Sequence, residues 1–290
     1  KQKRIAGAGT QVLLVGANDG MLHVLSDENG EELAAFIPQA VLPNLKRLSN
    51  REYGNTTVDG DATSHRFFVD GKLLESDAYI NGAWANVVLG STGAGGKSVF
   101  ALKFNAANPR SIEGSNLMWE INATATSGLS YKDRLGYVTG TMAMGRMKNG
   151  DWVGIFGNGM DSTDGGASLW IVNLRTGQPI VPPIQAGTDK SGNGLHGVAL
   201  IRDGNRNVIG AYAGDAKGKL WRFDLESATS SSWKTGLSGQ PLFDAGTANP
   251  ITAAPTFVLH PKGGLMVLFG TGRLYTTADE STTDTQSLYG

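Results

Sequence analysis

The chain has 290 residues, 40% hydrophobic and 18% charged, with a net charge of −1. That balance fits an ordinary folded domain and offers no basic surface for nucleic acid or an anionic membrane. With no cysteine, disulfides, thiolate zinc sites and cysteine nucleophiles are excluded together.

No apolar run reaches the ~18 residues that a membrane-spanning helix needs. Lys1 to Arg4 are basic but no long apolar segment follows. No signal peptide is therefore read here, and the chain is expected to be a mature or excised piece. Glycine is the outlier, at 41 residues. It does not recur at every third place as collagen demands. It follows short apolar runs, which is the turn chemistry of a protein with many short strands.

Taken in chain order, one pattern recurs five times. An apolar run ends in Gly, a small polar loop follows, and a second apolar strand comes next. The first copy is Val12 to Gly16, Asp19-Gly20, then Leu22 to Leu25, with a turn at Asn29-Gly30. A long insertion follows, about Pro38 to Tyr79; Leu42, Leu45 and Leu48 recur there at spacing three and predict a short helix. The second copy is Val87 to Gly90, Gly95-Gly96, then Val99 to Phe104. Asn122 to Ser130 is rich in Ala, Thr, Ser and Gly and predicts loop. The third copy is Gly154 to Gly157, Gly165-Gly166, then Leu169 to Asn173, with a turn at Thr176-Gly177. The fourth is Gly210 to Gly214, Lys217-Gly218, then Leu220 to Asp224. The fifth is Val267 to Gly270, Gly272, then Leu274-Tyr275; the chain then ends at Tyr289-Gly290 in what reads as a further strand.

Each copy has the composition of a β-hairpin. Glycine supplies the positive φ that tight turns need, and Val, Ile, Leu, Trp and Phe suit a pleated, buried surface. The marking glycines, Gly16, Gly90, Gly157, Gly214 and Gly270, are spaced 74 residues apart at first and 56 at the end. A four-stranded propeller blade needs about 40–50 residues, so each copy has room for a blade and an insertion. A solenoid would keep a tighter period, and a sandwich has no reason to repeat one hairpin. The expected fold is an all-β propeller with irregular blades and long insertions, a single domain over 1–290. Five repeats are visible, and a seven-bladed ring is an open alternative.

Three segments carry the reading from fold class to family. The first is Gly157-Asn158-Gly159 followed by Ala167-Ser168-Leu169-Trp170-Ile171-Val172-Asn173 and Thr176-Gly177. The second is Tyr212-Ala213-Gly214-Asp215 followed by Gly218-Lys219-Leu220-Trp221-Arg222-Phe223-Asp224. The third is Pro250-Ile251-Thr252-Ala253-Ala254-Pro255 followed by Phe269-Gly270-Thr271-Gly272. Their order and spacing resemble the C-terminal propeller of the PilC/PilY family of type IV pilus adhesins and biogenesis factors. Gly16 to His23 and Val58-Asp59-Gly60 fit the same family, and the resemblance covers nearly the whole chain.

The resemblance implies an exported protein at the outer cell surface and the pilus tip. It implies a non-catalytic module that promotes pilus assembly, opposes retraction and supports adhesion, twitching motility and virulence. The implied partners are pilins or minor pilins and a host or surface receptor. It also implies a larger parent protein whose N-terminal half is not in this chain. Two alternatives stay open: a quinoprotein-like propeller enzyme, and a carbohydrate-binding lectin-type adhesin.

Family propellers carry a nine-residue calcium loop with ligands at alternating positions, and the matching stretch is Ile201 to Gly210. Its alternating oxygen-bearing residues are Asp203, Asn205 and Asn207. Calcium takes six to eight oxygens, so one carboxylate and two amides are a reduced set. The competing reading is an Asp/Gly/Asn hairpin turn, and no other cofactor is expected. Asp161 to Gly165 is a second oxygen-rich stretch, read as a solvated turn. Asp215 and Asp19 follow the marking glycines and are expected to accept backbone N–H bonds in the next turn. Neither has an acid or base partner in sequence. Of the four histidines, His23, His65, His196 and His260, no two have metal-ligand spacing, and His23 is expected to pack within a blade. Trp170 and Trp221 hold equivalent positions and are expected in the core. Trp233, in a Ser/Thr stretch, is the expected exposed tryptophan.

Overall fold

The computed structural model describes residues 11–55, 57, 60, 63–104, 116–124 and 130–290. The fold is a β-propeller whose blades fall into two compact units, Lys1–Leu129 and Ser130–Gly290. Val58 and Asp59, and 125–129 of the expected loop, lie outside the described residues.

In the first unit, β1 (Val12–Gly16), β2 (Leu22–Ser26) and β3 (Glu32–Phe36) form an antiparallel three-stranded blade. The second blade has four antiparallel strands: β4 (Leu73–Ile80), β5 (Ala83–Ser91), β6 (Ser98–Phe104) and β7 (Leu117–Asn122). The insertion between them holds the expected helix, α1 (Leu42–Leu45), flanked by single 3-10 turns. Glu120 on β7 anchors that turn by accepting the Gln39 and Ala40 amides at 2.7 and 3.0 Å and the Ser98 hydroxyl at 2.8 Å. The insertion is shorter than expected, because Leu73 to Tyr79 already belong to β4. Leu22, Val24, Val69, Val88, Phe100 and Leu102 pack together as this unit's core.

In the second unit, the third blade consists of β8 (Ala143–Met147), β9 (Trp152–Gly157), β10 (Ser168–Asn173) and β11 (Ile184–Gln185). The fourth has β12 (Leu195–Arg202), β13 (Asn207–Asp215) and β14 (Lys219–Asp224), with β15 (Lys234–Thr235) and β16 (Phe243–Asp244) both pairing with β14. The fifth is formed by β17 (Thr256–Leu259), β18 (Leu265–Gly270) and β19 (Leu288–Tyr289). Alternation on β14 sorts its side chains to two faces. Trp221 and Phe223 join a large core with Val153, Ile155, Leu169 and Ile171 from the third blade. Leu220, on the other face, packs on Ile251 and Phe269. Trp170, also fully buried, stacks on Phe156 at 5.9 Å.

Three expectations are corrected. The fifth copy's second strand is Leu288–Tyr289, which pairs with Gly270 and Phe269. Leu274-Tyr275 instead sit in a loop fixed by Asp279, whose carboxylate accepts the Arg273 Nε at 2.8 Å and the Tyr275 and Thr276 amides at 3.0 and 2.9 Å. Trp233 is buried, with its indole N–H donating to the Ser227 carbonyl at 2.8 Å. The polar serines around it misled the reading, since they supply turns beside a core position. His23 lies on β2 as expected but is half-buried, held between Asp19 and Glu32 rather than by apolar packing.

The marking glycines themselves are not the turn glycines. None has positive φ; that role falls to the following glycines, such as Gly20 at 98° and Gly218 at 81°. A Cβ on Gly16 would lie 2.5 Å from the Val69 carbonyl oxygen, on Gly157 2.3 Å from that of Leu195, and on Gly214 2.1 Å from an Ile251 methyl. In each case the obstruction belongs to the segment that leads into or forms the next blade. These glycines are there for close approach, not for turning.

Gly157→Ala is expected to destabilise the second unit by about 3 kcal/mol, as overpacking against backbone does. Gly30→Ala meets no atom within 4 Å and bears only the strain of φ at 74°, about 1 kcal/mol. Denaturant unfolding of both variants checks the order; equal losses would contradict it.

Candidate functional site

After Gly157, Gly214 and Gly270 the next residue is polar, and its side chain ties strands together. Asn158 is fully buried. Its Oδ1 accepts the Ser168 amide of β10 at 2.9 Å and the Leu195 amide of the next blade at 3.0 Å, while its Nδ2 donates to the Arg134 and Gly166 carbonyls at 2.9 and 2.8 Å. Asp215 is also fully buried. Its Oδ1 accepts the Lys217 and Lys219 amides, both at 2.9 Å, and its Oδ2 accepts the Trp221 indole N–H at 2.8 Å and the Asn193 side-chain Nδ2 at 3.0 Å. In the first unit the task is divided. Asp19 accepts the Met21 amide at 3.0 Å within its turn, and Asn18 accepts the Phe68 amide at 3.1 Å from the insertion. In the fifth blade Thr271 accepts the Ser287 amide at 2.8 Å. The expected backbone role of Asp19 and Asp215 is therefore present. Every lone-pair direction that would serve acid–base chemistry at Asp215 is spent on N–H donors.

The stretch Ile201 to Gly210 is a hairpin turn between β12 and β13. Asp203 Oδ1 accepts the Asn205 and Asn207 amides, each at 2.9 Å, and Oδ2 accepts Asn207 Nδ2 at 3.1 Å. These bonds, the Asn207 side chain foremost, hold the Asp203 carboxyl below the usual carboxylate range. The structure brings Asp203 and Asn207 together, but as donor to acceptor. Asn205 contributes only its backbone N–H to that turn. Calcium would need these oxygens turned onto one point with several more beside them, and as arranged they do not fit it. In the second oxygen-rich stretch, Asp164 is taken by Lys190 at 2.6 Å. Among the described residues no three His, Asp or Glu side chains converge to hold a metal ion.

Sequence reading missed His196. It is the second residue of β12, almost wholly buried, with neither ring nitrogen hydrogen-bonded to protein. The Tyr275 ring stacks on it at 5.6 Å and 20°. Tyr275 in turn accepts the Thr139 hydroxyl at 3.2 Å, so the third, fourth and fifth blades meet at this point. The only hint in sequence was a histidine flanked by glycines, Gly194 and Gly197, and that says nothing about burial. Desolvation first, and the nearby Arg273 charge second, push the His196 pKa down from 6.5 to about 4. His23 shifts the other way: its bond to Glu32 leads, and Asp19 adds to it, raising its pKa above 6.5.

The signs give opposite pH dependences. Native His196 resists the proton that the unfolded chain takes up below 6.5. Its contribution to stability therefore falls as pH drops from 6.5 and levels off near 4, a loss of roughly 3 kcal/mol. His23 stabilises fully below 6.5 and loses that contribution as pH rises through its raised pKa. Unfolding of the protein and of His196→Phe at stepped pH separates the first effect. The variant is expected to lose most of the slope between pH 6.5 and 4; an unchanged slope would contradict the assignment.

The model of the PilY1 β-propeller domain matches residues 4–290. The chain is 39% identical over 298 residues to the type IV pilus biogenesis factor PilY1 homolog of Xylella fastidiosa, covering 96% of this chain and 19% of the relative. It is 39% identical over 302 residues to type IV pilus biogenesis factor PilY1 of Pseudomonas aeruginosa, covering 95% of this chain and 24% of the relative. The crystal structure of the P. aeruginosa PilY1 C-terminal domain superposes with a TM-score of 0.77 at 36% identity, over 96% of this chain and 56% of that one. The chain thus spans a quarter or less of these curated relatives. It belongs to the PilY1 β-propeller domain family.

Proposed function

We propose that this propeller is the non-catalytic module of a type IV pilus biogenesis factor, located at the cell surface and pilus tip. The observation that carries the reading is identity of 39%, sustained over nearly the whole chain, to proteins named as such factors. The use of the buried polar groups supports it. Asp215 is saturated by N–H donors, and Asn158 both accepts from and donates to backbone groups, one of them in the next blade, which suits a rigid scaffold. A rigid scaffold presenting loops suits contact with other proteins. The partners are pilins or minor pilins and a surface receptor. The module promotes pilus assembly, opposes retraction, and supports adhesion and twitching.

Calcium is not part of this proposal. We read the Asp203, Asn205 and Asn207 turn as closed by its own hydrogen bonds. A site with a Kd of about 1 μM would add about 4 kcal/mol at 1 mM calcium. Thermal unfolding in calcium and in chelator is expected to coincide, and a clear stabilisation by calcium that Asp203→Ala removes would overturn this.

Deletion of the propeller in its host is expected to abolish surface pili, and removal of the retraction motor as well is expected to restore them. Unchanged piliation in both strains would overturn the assignment. Pili that stay absent without the motor would leave assembly and remove the role against retraction.

A further inference from the structure

Blades diverge outward from a propeller's axis, so the gap between two neighbours widens toward their last strands. Between the third and fourth blades those strands are β11 and β15, the two ends of one continuous sheet. Among the described residues no ladder pairs β11 with β15. The Thr235 hydroxyl joins them instead, donating to the Gln185 carbonyl at 2.5 Å. Beside that bond lies a cavity of about 520 Å³, within the range of about 300–1,000 Å³ that small-molecule sites occupy.

Its walls are held in place by the fold. On one side Pro179, Pro182 and Pro183 fix the backbone around Ile180 and Val181. The Ile180 amide donates to the Ile171 carbonyl at 3.0 Å, and Arg134 Nη1 donates to the Pro183 carbonyl at 3.2 Å. On the other side the Ser230–Ser232 turn is closed by the Trp233 amide, which donates to the Ser230 carbonyl at 3.0 Å. The floor is apolar: Ile180, Val181 and Ile184 pack against the core, and Trp233 belongs to it. The Trp233 indole N–H is already given to Ser227, so the ring offers carbon surface alone. The rim is polar. Ser230 and Ser231 add two hydroxyls, Lys234 adds a charge, and no Asp or Glu lines the cavity. Asp224 opposes Lys234 across the strand pair but is held by Arg222 at 2.8 Å. Among the described residues no carboxylate pairs with Lys234.

These features select a ligand class. A sugar would lay its hydroxyls on the aliphatic floor and lose their hydration without return. A cation would meet Lys234 with like charge. A carboxylate only accepts hydrogen bonds, and an ammonium and two hydroxyls can donate them. We infer that this cavity is a binding site for a small amphiphilic carboxylate, its aliphatic chain on the Ile180, Val181, Ile184 and Trp233 floor and its head against Lys234 and the serine hydroxyls. The chain supplies most of the affinity, because Lys234 is exposed and an exposed ion pair is weak. The fixed walls lower the ordering cost of binding. The cavity lies within the second unit, and the inference stands independently of the pilus assignment.

The test is a nitrogen-15 indole NMR titration of the whole chain, with the Trp233 resonance assigned from Trp233→Phe. The probes are octanoate, held below its micelle-forming concentration, and separately octanol and octyltrimethylammonium, which carry the same chain. Octanoate is expected to move the Trp233 resonance in a saturable way, and the other two are expected to bind more weakly. Lys234→Gln is expected to weaken octanoate about threefold and leave octanol unchanged, as loss of one exposed ion pair would. Val181→Phe, which fills the cavity, is expected to weaken both. The other five indole resonances report that each variant remains folded. No saturable shift with octanoate, binding no tighter than that of octanol or octyltrimethylammonium, or an octanoate affinity that either substitution leaves unchanged would each overturn the proposal.

Discussion

Everything in the second unit depends on how closely one blade's second strand approaches the backbone of the next. At Gly157 and Gly214 there is no room for a methyl group: a Cβ would meet the Leu195 carbonyl at 2.3 Å or the Ile251 side chain at 2.1 Å. At Gly157 that approach brings backbone N–H groups of two blades within reach of one side chain, that of the next residue, Asn158. At Gly214 it brings the Ile251 amide onto the backbone carbonyl of Asp215, whose side chain ties its own blade. A buried carboxylate or amide is costly when left alone and stabilising when its donors are complete. Asp215, with four N–H donors and no cation bonded to it, is of the second kind. The glycine and the residue after it are therefore one device: the first permits the close approach, and the second takes an N–H of the next blade, Asn158 by its side chain and Asp215 by its backbone carbonyl.

The side chains of Asn158 and Asp215 are spent on this structural role, with their acceptor positions filled by N–H donors. His196 differs: it is a buried imidazole stacked on the Tyr275 ring, with neither ring nitrogen hydrogen-bonded to protein. Its burial costs stability on acidification rather than giving a base poised near neutrality. A scaffold of this kind leaves function to its surfaces.

Much of the fold was legible because glycine and apolar runs are local signals. The hairpins of copies one to four lie where the sequence placed them, and Trp170 and Trp221 are core as their equivalent positions implied. The family was legible for the same reason, since its motifs are the hairpins themselves. What was not legible depends on contacts between distant segments. The sequence could not tell a turning glycine from an approaching one, because the difference lies in Val69, Leu195 and Ile251, tens of residues away. It took Leu274-Tyr275 for a strand because the bonds to Asp279 that hold them as a loop leave no pattern. It chose Trp233 over Trp84 from neighbouring polarity, whereas exposure was set by tertiary packing.

The central claim is that blades are joined at Asn158 by its side chain and at Asp215 by its backbone carbonyl. Native-state hydrogen exchange of the Leu195 amide, which donates to Asn158 Oδ1, and the Ile251 amide, which donates to the Asp215 carbonyl, tests it most directly. Both amides should exchange only with global unfolding of the second unit, as slowly as the β9 and β13 core amides. Exchange by local opening, as fast as that of the hairpin tips, would contradict the account.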